Sequence, residues 1–461
     1  MNRYRRLAGL LTLSLLAACT SGTATTAPVP SSSAAAGTAS APPSEAATPA
    51  APVSLVLLMP DSSEATVLTP EVARYESLHP NVTITVKQVG QSEAFLPGLQ
   101  TLLNSGQQID VMYMGGDSFE TAVTENLLLD VTDKITYYDR FNQDLVYKGF
   151  YEVDGRRYGV PTGIGYIAGW MYNQALLTSV GIPSFPQTYS DLVTDSAKLK
   201  AANVVPVAGY GTEWNFYAIM ALHTVLDQMS GNNMIQTIRD TLTDKTKFTD
   251  PIYQNAWTCA LQYFKDNLFQ IQPGSSNALW LGANDTTAAA LLPAGKVAMN
   301  WDGNWDFPTL KQAAASSGGK FDLALGAPPV CSNAPAGATQ HLIAYPPNLW
   351  SISKTSTHVD ESLALLDYLS SDQNASEWMT FFKTNLTSNV NATPPTSDAL
   401  DATAKTLYAT GVIDATWPMG IDLSQEYAAE FQKVVLGKQS IDQGLAALEA
   451  WKQANKAKLP H

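Results

Sequence analysis

The stretch MNWDGNWDFP, residues 299–308, places two tryptophans beside a carboxylate and a glycine, directly after the apolar run LLPAGKVA. An indole offers a broad, rigid face that can stack on the C–H face of a sugar ring, while carboxylates and amides accept hydrogen bonds from hydroxyls. The stretch therefore predicts a polyol-binding surface with Trp305 as its main contact and with Asp302 and Gly303 in the turn beneath it. Trp301 follows the strand more directly, so we expect it in the core.

Two alternatives apply to this stretch. A tryptophan more often fills a core than binds a ligand, and the chain has ten of them. Asp302 could also cap the helix that follows it. Trp280 is expected in the core or at an interface, and Asp110, inside a strand pattern, is expected to be structural.

Other chemistry is not indicated. The formal charge of -14 and the absence of a basic stripe after residue 6 argue against nucleic acid, which needs clustered Lys and Arg. The run from Gly163 to Ala168 matches a dinucleotide-binding pattern, but Pro161 stands where a strand should feed the turn. The five histidines are scattered and there is no Cys/His cluster. We therefore expect no cofactor, no metal and no catalytic triad. Cys259 and Cys331 are either disulfide-bonded or free.

The first 53 residues are expected to lie outside the folded body. A basic segment and a short apolar run end at Cys19, and small residues before a cysteine resemble the lipobox of bacterial lipoproteins. The sequence thus predicts a lipoprotein signal peptide over 1–19, with lipid attached to Cys19; a plain signal peptide is the alternative. Residues 20–53 are almost entirely Ala, Thr, Ser, Pro and Gly with one charge, Glu45, and predict a disordered tether with a reach of roughly 30 Å.

The body begins with strand and helix patterns in alternation. Residues 54–60, 82–89 and 109–114 have the pattern of strands, and 65–77 and 93–104 that of helices. This alternation predicts a mainly parallel sheet with ligand loops beyond the strand ends, where Asp61, Glu64 and Asp117 fall. Further helices are expected after Ser190, a candidate N-cap, and over 357–371, 427–436 and the stretch SIDQGLAALEAWKQA.

Four stretches, in order along the body, resemble one family, the extracellular solute-binding proteins of ABC transporters in the sugar-binding group that includes maltose-binding protein. The stretches are ARYESLHPNVTITV, the long run from DGRRYGVPTGIGYIAGWMYNQALL to KLKAANVVPVA, LLPAGKVAMNWDGNWDF and LGKQSIDQGLAAL. The resemblance implies an α/β fold of two lobes joined by a hinge with three crossings, near 163–166, 345–349 and 388–391. It places 54–163 and 347–388 in the N-terminal lobe, and 164–346 and 389–461 in the C-terminal lobe.

The resemblance also adds site residues. Trp305 and Asp117 align with cleft residues of sugar-binding members, and Glu213 with Trp214 aligns with a ligand-contacting acidic–aromatic loop. Family members often hold a sugar hydroxyl where Asp61 and Glu64 stand. Three aromatic residues near the crossings or a late loop complete the set: Tyr166, Trp350 and Trp417.

The expected function is therefore capture of a carbohydrate by a monomeric, lipid-anchored subunit on the extracytoplasmic face of the cell membrane, for delivery to an ABC permease. A secreted glycosidase is the main alternative, since it would also need cleft tryptophans together with two carboxylates. A surface lipoprotein with no transport role is the third. We expect no enzymatic activity.

Overall fold

Two separate β-sheets organise the chain. The structure, a computed structural model, describes residues 51–91, 94–212, 214–266, 268–274, 277–395, 397–413 and 416–459. The strands are β1 Val53–Pro60, β2 Val82–Val89, β3 Val111–Met114, β4 Glu152–Val153, β5 Arg156–Arg157, β6 Gly159–Pro161, β7 Tyr166–Asn173, β8 Val205–Ala208, β9 Phe269–Gln270, β10 Val297–Gly303, β11 Leu323–Gly326, β12 Ile343–Tyr345, β13 Leu349–Ile352 and β14 Val412–Ile413.

Helices surround both sheets. The α-helices are α1 Glu64–Leu78, α2 Phe95–Asn104, α3 Gly116–Thr124, α4 Gln143–Val146, α5 Gln174–Ser179, α6 Tyr189–Ala201, α7 Trp214–Ala218, α8 Asp227–Met229, α9 Met234–Leu242, α10 Pro251–Lys265, α11 Asn277–Trp280, α12 Asp285–Ala289, α13 Phe307–Ser316, α14 Val359–Leu369, α15 Asp372–Phe382, α16 Ala399–Ala409, α17 Thr416–Met419, α18 Ile421–Val435 and α19 Ile441–Asn455. The predicted alternation at the start of the body is confirmed by β1 to β3 and the helices between them. Thr188, rather than Ser190, caps α6, because its side chain and that of Asp191 form a reciprocal capping box.

Both sheets are mixed, but the parallel pairing predicted from the opening strands is confirmed, because β1 pairs in parallel with both β2 and β3. The first sheet has the order β2-β1-β3-β13-β6, and β13 runs antiparallel to both of its neighbours. The second has the order β14-β12-β7-β10-β8-β9, with β11 also paired to β7, and β7 runs antiparallel to β10, β11 and β12. The antiparallel strands β7 and β13 are those that the chain enters on passing from one sheet to the other.

Each sheet has its own hydrophobic core, so the chain forms two lobes. The first core includes Leu57 and Trp350, and the second includes Trp170 and Phe431. A split of this kind is expected for a body of this length, because a single core stops growing beyond roughly 250–300 residues.

The chain passes between the lobes three times. The first passage joins β6 to β7 and the second joins β12 to β13. The third lies later than the predicted 388–391: Ser388 and Val390 still bond through their backbone to Asn142 and Arg140 of the first lobe, whereas α16 packs on the second core. Gly163 in the first passage is required by packing, because a Cβ there would lie 2.4 Å from Cβ of Trp378.

A disulfide closes part of the second lobe. Cys259 of α10 bonds to Cys331, which lies 72 residues further along the chain in the loop before β12. This bond resolves the alternative that the sequence left open. Among the helices of the described ranges, none combines the length and apolar character needed to cross a bilayer.

Candidate functional site

Trp305 lies where the two lobes meet. It follows β10 in the short 3₁₀ turn Asn304–Asp306 and is partly buried, in contact with the hydrophobic cores of both lobes. Its ring centroid is 6.4 Å from that of Tyr166, at the first passage, and 6.4 Å from that of Tyr345, at the second. A core tryptophan would be enclosed within one lobe. Trp305 is not, because it contacts both lobes and is only partly buried.

The glycine beneath Trp305 makes this position possible. A Cβ at Gly303 would lie 2.1 Å from Cζ3 of the Trp305 ring, which is closer than two non-bonded carbon atoms can approach. Gly303 itself is extended, with φ -132° and ψ 175°, a conformation open to any residue. The glycine is thus required by the close approach of the indole and not by backbone strain.

Asn304 ties the Trp305 turn to the passages between the lobes. Its fully buried side chain accepts a hydrogen bond from the backbone N–H of Ile167 at 2.9 Å and donates to the carbonyl of Gly165 at 3.1 Å. The amide also donates to Thr384 Oγ1 at 3.4 Å. Because these bonds join residues far apart in sequence, the turn that carries Trp305 is held against the hinge.

A cavity of about 80 Å³ adjoins Trp305. Its lining comes from β10, the turn after it and neighbouring elements of the second lobe: Tyr210, Ile219, Ala289, Asn300, Trp301, Asp302, Trp305, Asp306 and Tyr345. Typical small-molecule sites have roughly 300–1,000 Å³. A cavity of this volume has room for a few water molecules, and it must widen to admit a sugar ring.

Alternate residues of β10 with polar side chains, Asn300 and Asp302, are among the residues that line this cavity. Asp302 is 5% exposed, and its Oδ1 accepts a hydrogen bond from the N–H of Gly303 at 2.7 Å. Asn300, two residues earlier and on the same face of the strand, donates from Nδ2 to Asp302 Oδ2 at 3.4 Å. Asn300 Oδ1 is buried without a hydrogen-bond partner. The wall therefore offers hydrogen-bond acceptors next to an aromatic plane.

A second polar group lies at the hinge beside Trp305. Glu64 Oε1 accepts hydrogen bonds from Tyr166 at 3.1 Å and from Tyr113 at 3.3 Å, and the two hydroxyls are 3.0 Å apart. Asn348, in the second passage, donates to Tyr113 at 2.6 Å. Burial raises the pKa of both tyrosines well above the ordinary value, helped by the Glu64 charge, so both stay neutral. Glu64 and Tyr166 thus join the lobes near the cavity but do not line it.

The predicted residues of the first lobe are placed less favourably. Asp61 is exposed at the end of β1 and does not line the cavity. The prediction that Trp350 contacts ligand is not supported, because its side chain is fully buried in the first core. Trp350 is in β13, between β3 and β6, with its ring against Tyr113 and Trp378.

Several predictions fall on side chains or residues outside the described ones. Glu213 and Cys19 lie outside the described residues altogether. Asp117 in α3, Trp214 in α7 and Trp417 in α17 belong to described helices, but their side chains are outside the description. The backbone shows that α17 contacts α3 of the first lobe and α9 of the second.

Three expectations about structural residues can be compared with the structure. Trp280 is in the second core, 2% exposed. Asp110 is structural, as predicted, since it accepts hydrogen bonds from Val56 N–H at 2.8 Å and from Ser356 at 2.7 Å. Trp301 packs in the second core, as expected, and also lines the cavity.

Sequence reasoning missed most of the cavity wall. The residues not foreseen are Tyr210, Ile219, Ala289, Asn300, Asp306 and Tyr345. The sequence did contain a signal for Asn300 as a cavity residue. It is a polar residue within the apolar run of β10, and it lies two residues before Asp302, on the same face of the strand. The others come from separate elements that only the fold brings together.

Comparisons with known proteins agree with this architecture. The family model described as "Bacterial extracellular solute-binding protein" matches residues 60–376. A structure described as "Chitin oligosaccharide binding protein" is 18% identical, with a TM-score of 0.73 and coverage of 88% of this chain and 99% of the other.

Two further structures show the same fold. The maltotriose-bound maltose/maltodextrin-binding domain MalE from Bdellovibrio bacteriovorus is 14% identical, with a TM-score of 0.67 and coverage of 87% and 99%. RafE in complex with raffinose is 17% identical, with a TM-score of 0.68 and coverage of 87% and 99%. No curated protein sequence matches this chain significantly. The family model spans more than half of the sequence and the two-lobed fold agrees with it, so the chain belongs to the bacterial extracellular solute-binding protein family.

Proposed function

We propose that this chain is the substrate-binding subunit of an ABC importer and captures a carbohydrate between its lobes. The observation that carries the proposal is the position of Trp305, which contacts both cores and lines a cavity with Asn300 and Asp302. The similar structures are those of a chitin oligosaccharide binding protein, of RafE with raffinose and of MalE with maltotriose. Their ligands share the C–H faces and hydroxyls that suit such a wall.

Ligand capture is expected to depend on lobe closure. The cavity of about 80 Å³ is smaller than a sugar site and is lined by second-lobe residues. We therefore expect a sugar to occupy it together with space that opens when the lobes separate, and the lobes to close upon the ligand. A ligand that contacts both lobes only when they are closed shifts the population towards the closed form by its difference in affinity. Trp305 suits this role because the rings of Tyr166 and Tyr345, at two of the passages, each lie 6.4 Å from its own ring.

The remaining parts of the proposal concern location and partners. Cys19 would carry the lipid anchor, and residues 20–53 would tether the body to the extracytoplasmic face of the membrane. A monomeric body in the closed form would then dock on the permease. The protein acts as a binder and leaves the carbohydrate chemically unchanged.

A thermal-shift screen of the mature chain against neutral mono- and oligosaccharides tests the function. Ligand at 100 times its dissociation constant is expected to stabilise the fold by about 2.7 kcal/mol. Oligosaccharides that stabilise the fold should be recovered intact, whereas a glycosidase would release new reducing ends. The proposal would be contradicted if no carbohydrate of the panel bound saturably. Hydrolysis of a bound oligosaccharide would favour the glycosidase alternative instead.

A further inference from the structure

The cavity wall is rich in hydrogen-bond acceptors and negative charge. Its polar side chains are Asn300, Asp302 and Asp306 together with two tyrosines, and no Lys, Arg or His is found among its described lining residues. An ionised carboxylate accepts hydrogen bonds and cannot donate them. A bound group that faces the two carboxylates of this wall is therefore expected to be a donor, and an anionic group there would meet like charge.

Asn300 fixes where such a donor would bind. The residue is 1% exposed, and its Nδ2 already faces Asp302 Oδ2, so Oδ1 is the atom left without a partner in the buried wall. A buried acceptor with no donor is costly to the fold. A ligand group placed beside Asn300 Oδ1 would satisfy it and would also lie close to the Asp302 carboxylate.

An ammonium group fits this arrangement better than a hydroxyl. It has three donors and a full positive charge, whereas a hydroxyl has one donor. Hydrogen bonds between an ammonium and a carboxylate are roughly twice as strong as those between neutral groups. The net charge of -14 also raises the local concentration of cations around the chain.

We propose that the ligand is an amino sugar whose positively charged amino group binds at Asn300 Oδ1 and the Asp302 carboxylate, with the ring against Trp305. This inference rests on the proposed function, because it assigns a chemical class to the ligand of the same cavity. The protein is therefore expected to bind amine-bearing sugars more tightly than their neutral and acidic counterparts.

The test compares probes that differ at one position of the same ring. Isothermal titration calorimetry on the mature chain would use glucosamine, N-acetylglucosamine, glucose and glucuronic acid, and the β-1,4-linked trimers of the first three. The amine form, as monomer or trimer, is expected to bind at least tenfold more tightly than its hydroxyl counterpart. The acetamide should lose that advantage, glucuronic acid should not bind, and added salt should reduce the preference.

Two substitutions test whether the preference for amine-bearing sugars depends on the Asp302 carboxylate in the cavity wall. Asp302→Asn is expected to bring the ratio of amine to hydroxyl affinity close to one. Asp322→Asn makes the same change at an exposed carboxylate before β11 and should leave the ratio unchanged. Equal binding of amine and hydroxyl forms would overturn this inference and leave the carbohydrate-binding function intact. Binding of no sugar at all would overturn both, and a preference that survives Asp302→Asn would overturn the assigned site.

Discussion

Trp305 in the second lobe and Trp350 in the first were both expected to contact ligand, yet the structure gives them different roles. Trp350 is inside β13, with β3 on one side and β6 on the other, and is fully buried. Trp305 lies past the end of β10 and is partly buried against both cores. An aromatic residue within a central strand packs the sheet, whereas one in the turn after a strand is free to face a partner.

The largest effect is expected at the buried member of this pair. Trp350→Ala should lower the free energy of unfolding by about 3–5 kcal/mol, because it leaves a cavity among packed rings. Chemical denaturation monitored by circular dichroism measures this loss. Unchanged stability would mean that Trp350 is not a core residue and would remove the contrast with Trp305.

The second lobe has a covalent link of its own in the Cys259–Cys331 bond. Replacing both cysteines by alanine should lower the free energy of unfolding by about 2–4 kcal/mol, since the link restricts the unfolded chain. Urea unfolding of the variant and of the oxidised wild type measures the difference. Because neither cysteine lines the cavity, carbohydrate affinity below the unfolding transition should be retained. Equal unfolding midpoints would show that the bond does not stabilise this lobe.

The first core contains a titratable group, Glu71, next to the tryptophan that packs against Trp350. Trp378, 6.1 Å from Trp350 between ring centroids, donates to Glu71 Oε1 at 3.1 Å. Burial, with a smaller contribution from the Glu377 charge, raises the pKa of Glu71 from 4.5 to about 8.

Between these two pH values the folded state therefore keeps a proton on Glu71 that the unfolded state releases. The contribution of this proton to the free energy of unfolding is fully present below pH 4.5 and is lost as the pH rises to about 8. Between pH 5 and pH 7 we expect a loss of about 2 kcal/mol. Glu71→Gln should flatten the dependence measured by denaturation across this range, while Glu125→Gln, at an exposed site of the same lobe, should not. A variant as pH-dependent as the wild type would contradict the role of Glu71.

The smallest effect in free energy is the most informative about function. Trp305→Ala should weaken carbohydrate binding at least tenfold, or about 1.4 kcal/mol, with unfolding still cooperative. Trp451→Ala removes a partly buried indole of α19 in the same lobe and should leave affinity unchanged.

Gly303→Ala sharpens the same test, because a Cβ would displace the Trp305 ring. It should also weaken binding, by less than the loss of the ring itself. Calorimetric titration measures all three variants, and unchanged affinity in Trp305→Ala would remove that residue from the site.

The sequence allowed a good part of the fold to be predicted, for local reasons. The alternation of β1 to β3 with α1 and α2 follows from hydrophobic periodicity. The direction of β7 and β13 depends on how the chain returns to each sheet, which no local pattern encodes. The N-cap of α6 was displaced by two residues because Thr188 and Ser190 are both suitable cap residues, and only the Thr188 pair forms a capping box.

The wall of the cavity was predictable from the sequence around Trp305 and Asp302 only, and their role in binding stays a prediction. Asp302 and Trp305 stood out in the sequence because an apolar strand ends at Gly303, which lies between them. Trp350 also follows turn-forming residues, but its burial is decided by two strands, one of them more than 200 residues earlier in the chain. Tyr210 and Tyr345 reach the cavity through tertiary packing alone, and no spacing in the sequence joins them to β10.

The hydrogen bonds of Asn304 have a consequence for how this protein can acquire a new ligand. The turn that carries Trp305 is hydrogen-bonded through Asn304 to Gly165 and Ile167, at the first passage between the lobes, and to Thr384. Altering this turn to suit another solute would therefore disturb the proposed lobe closure as well as the fit of the ligand. Diversification of selectivity is expected instead at positions such as Tyr210, Ile219 and Ala289, which line the same cavity outside this turn.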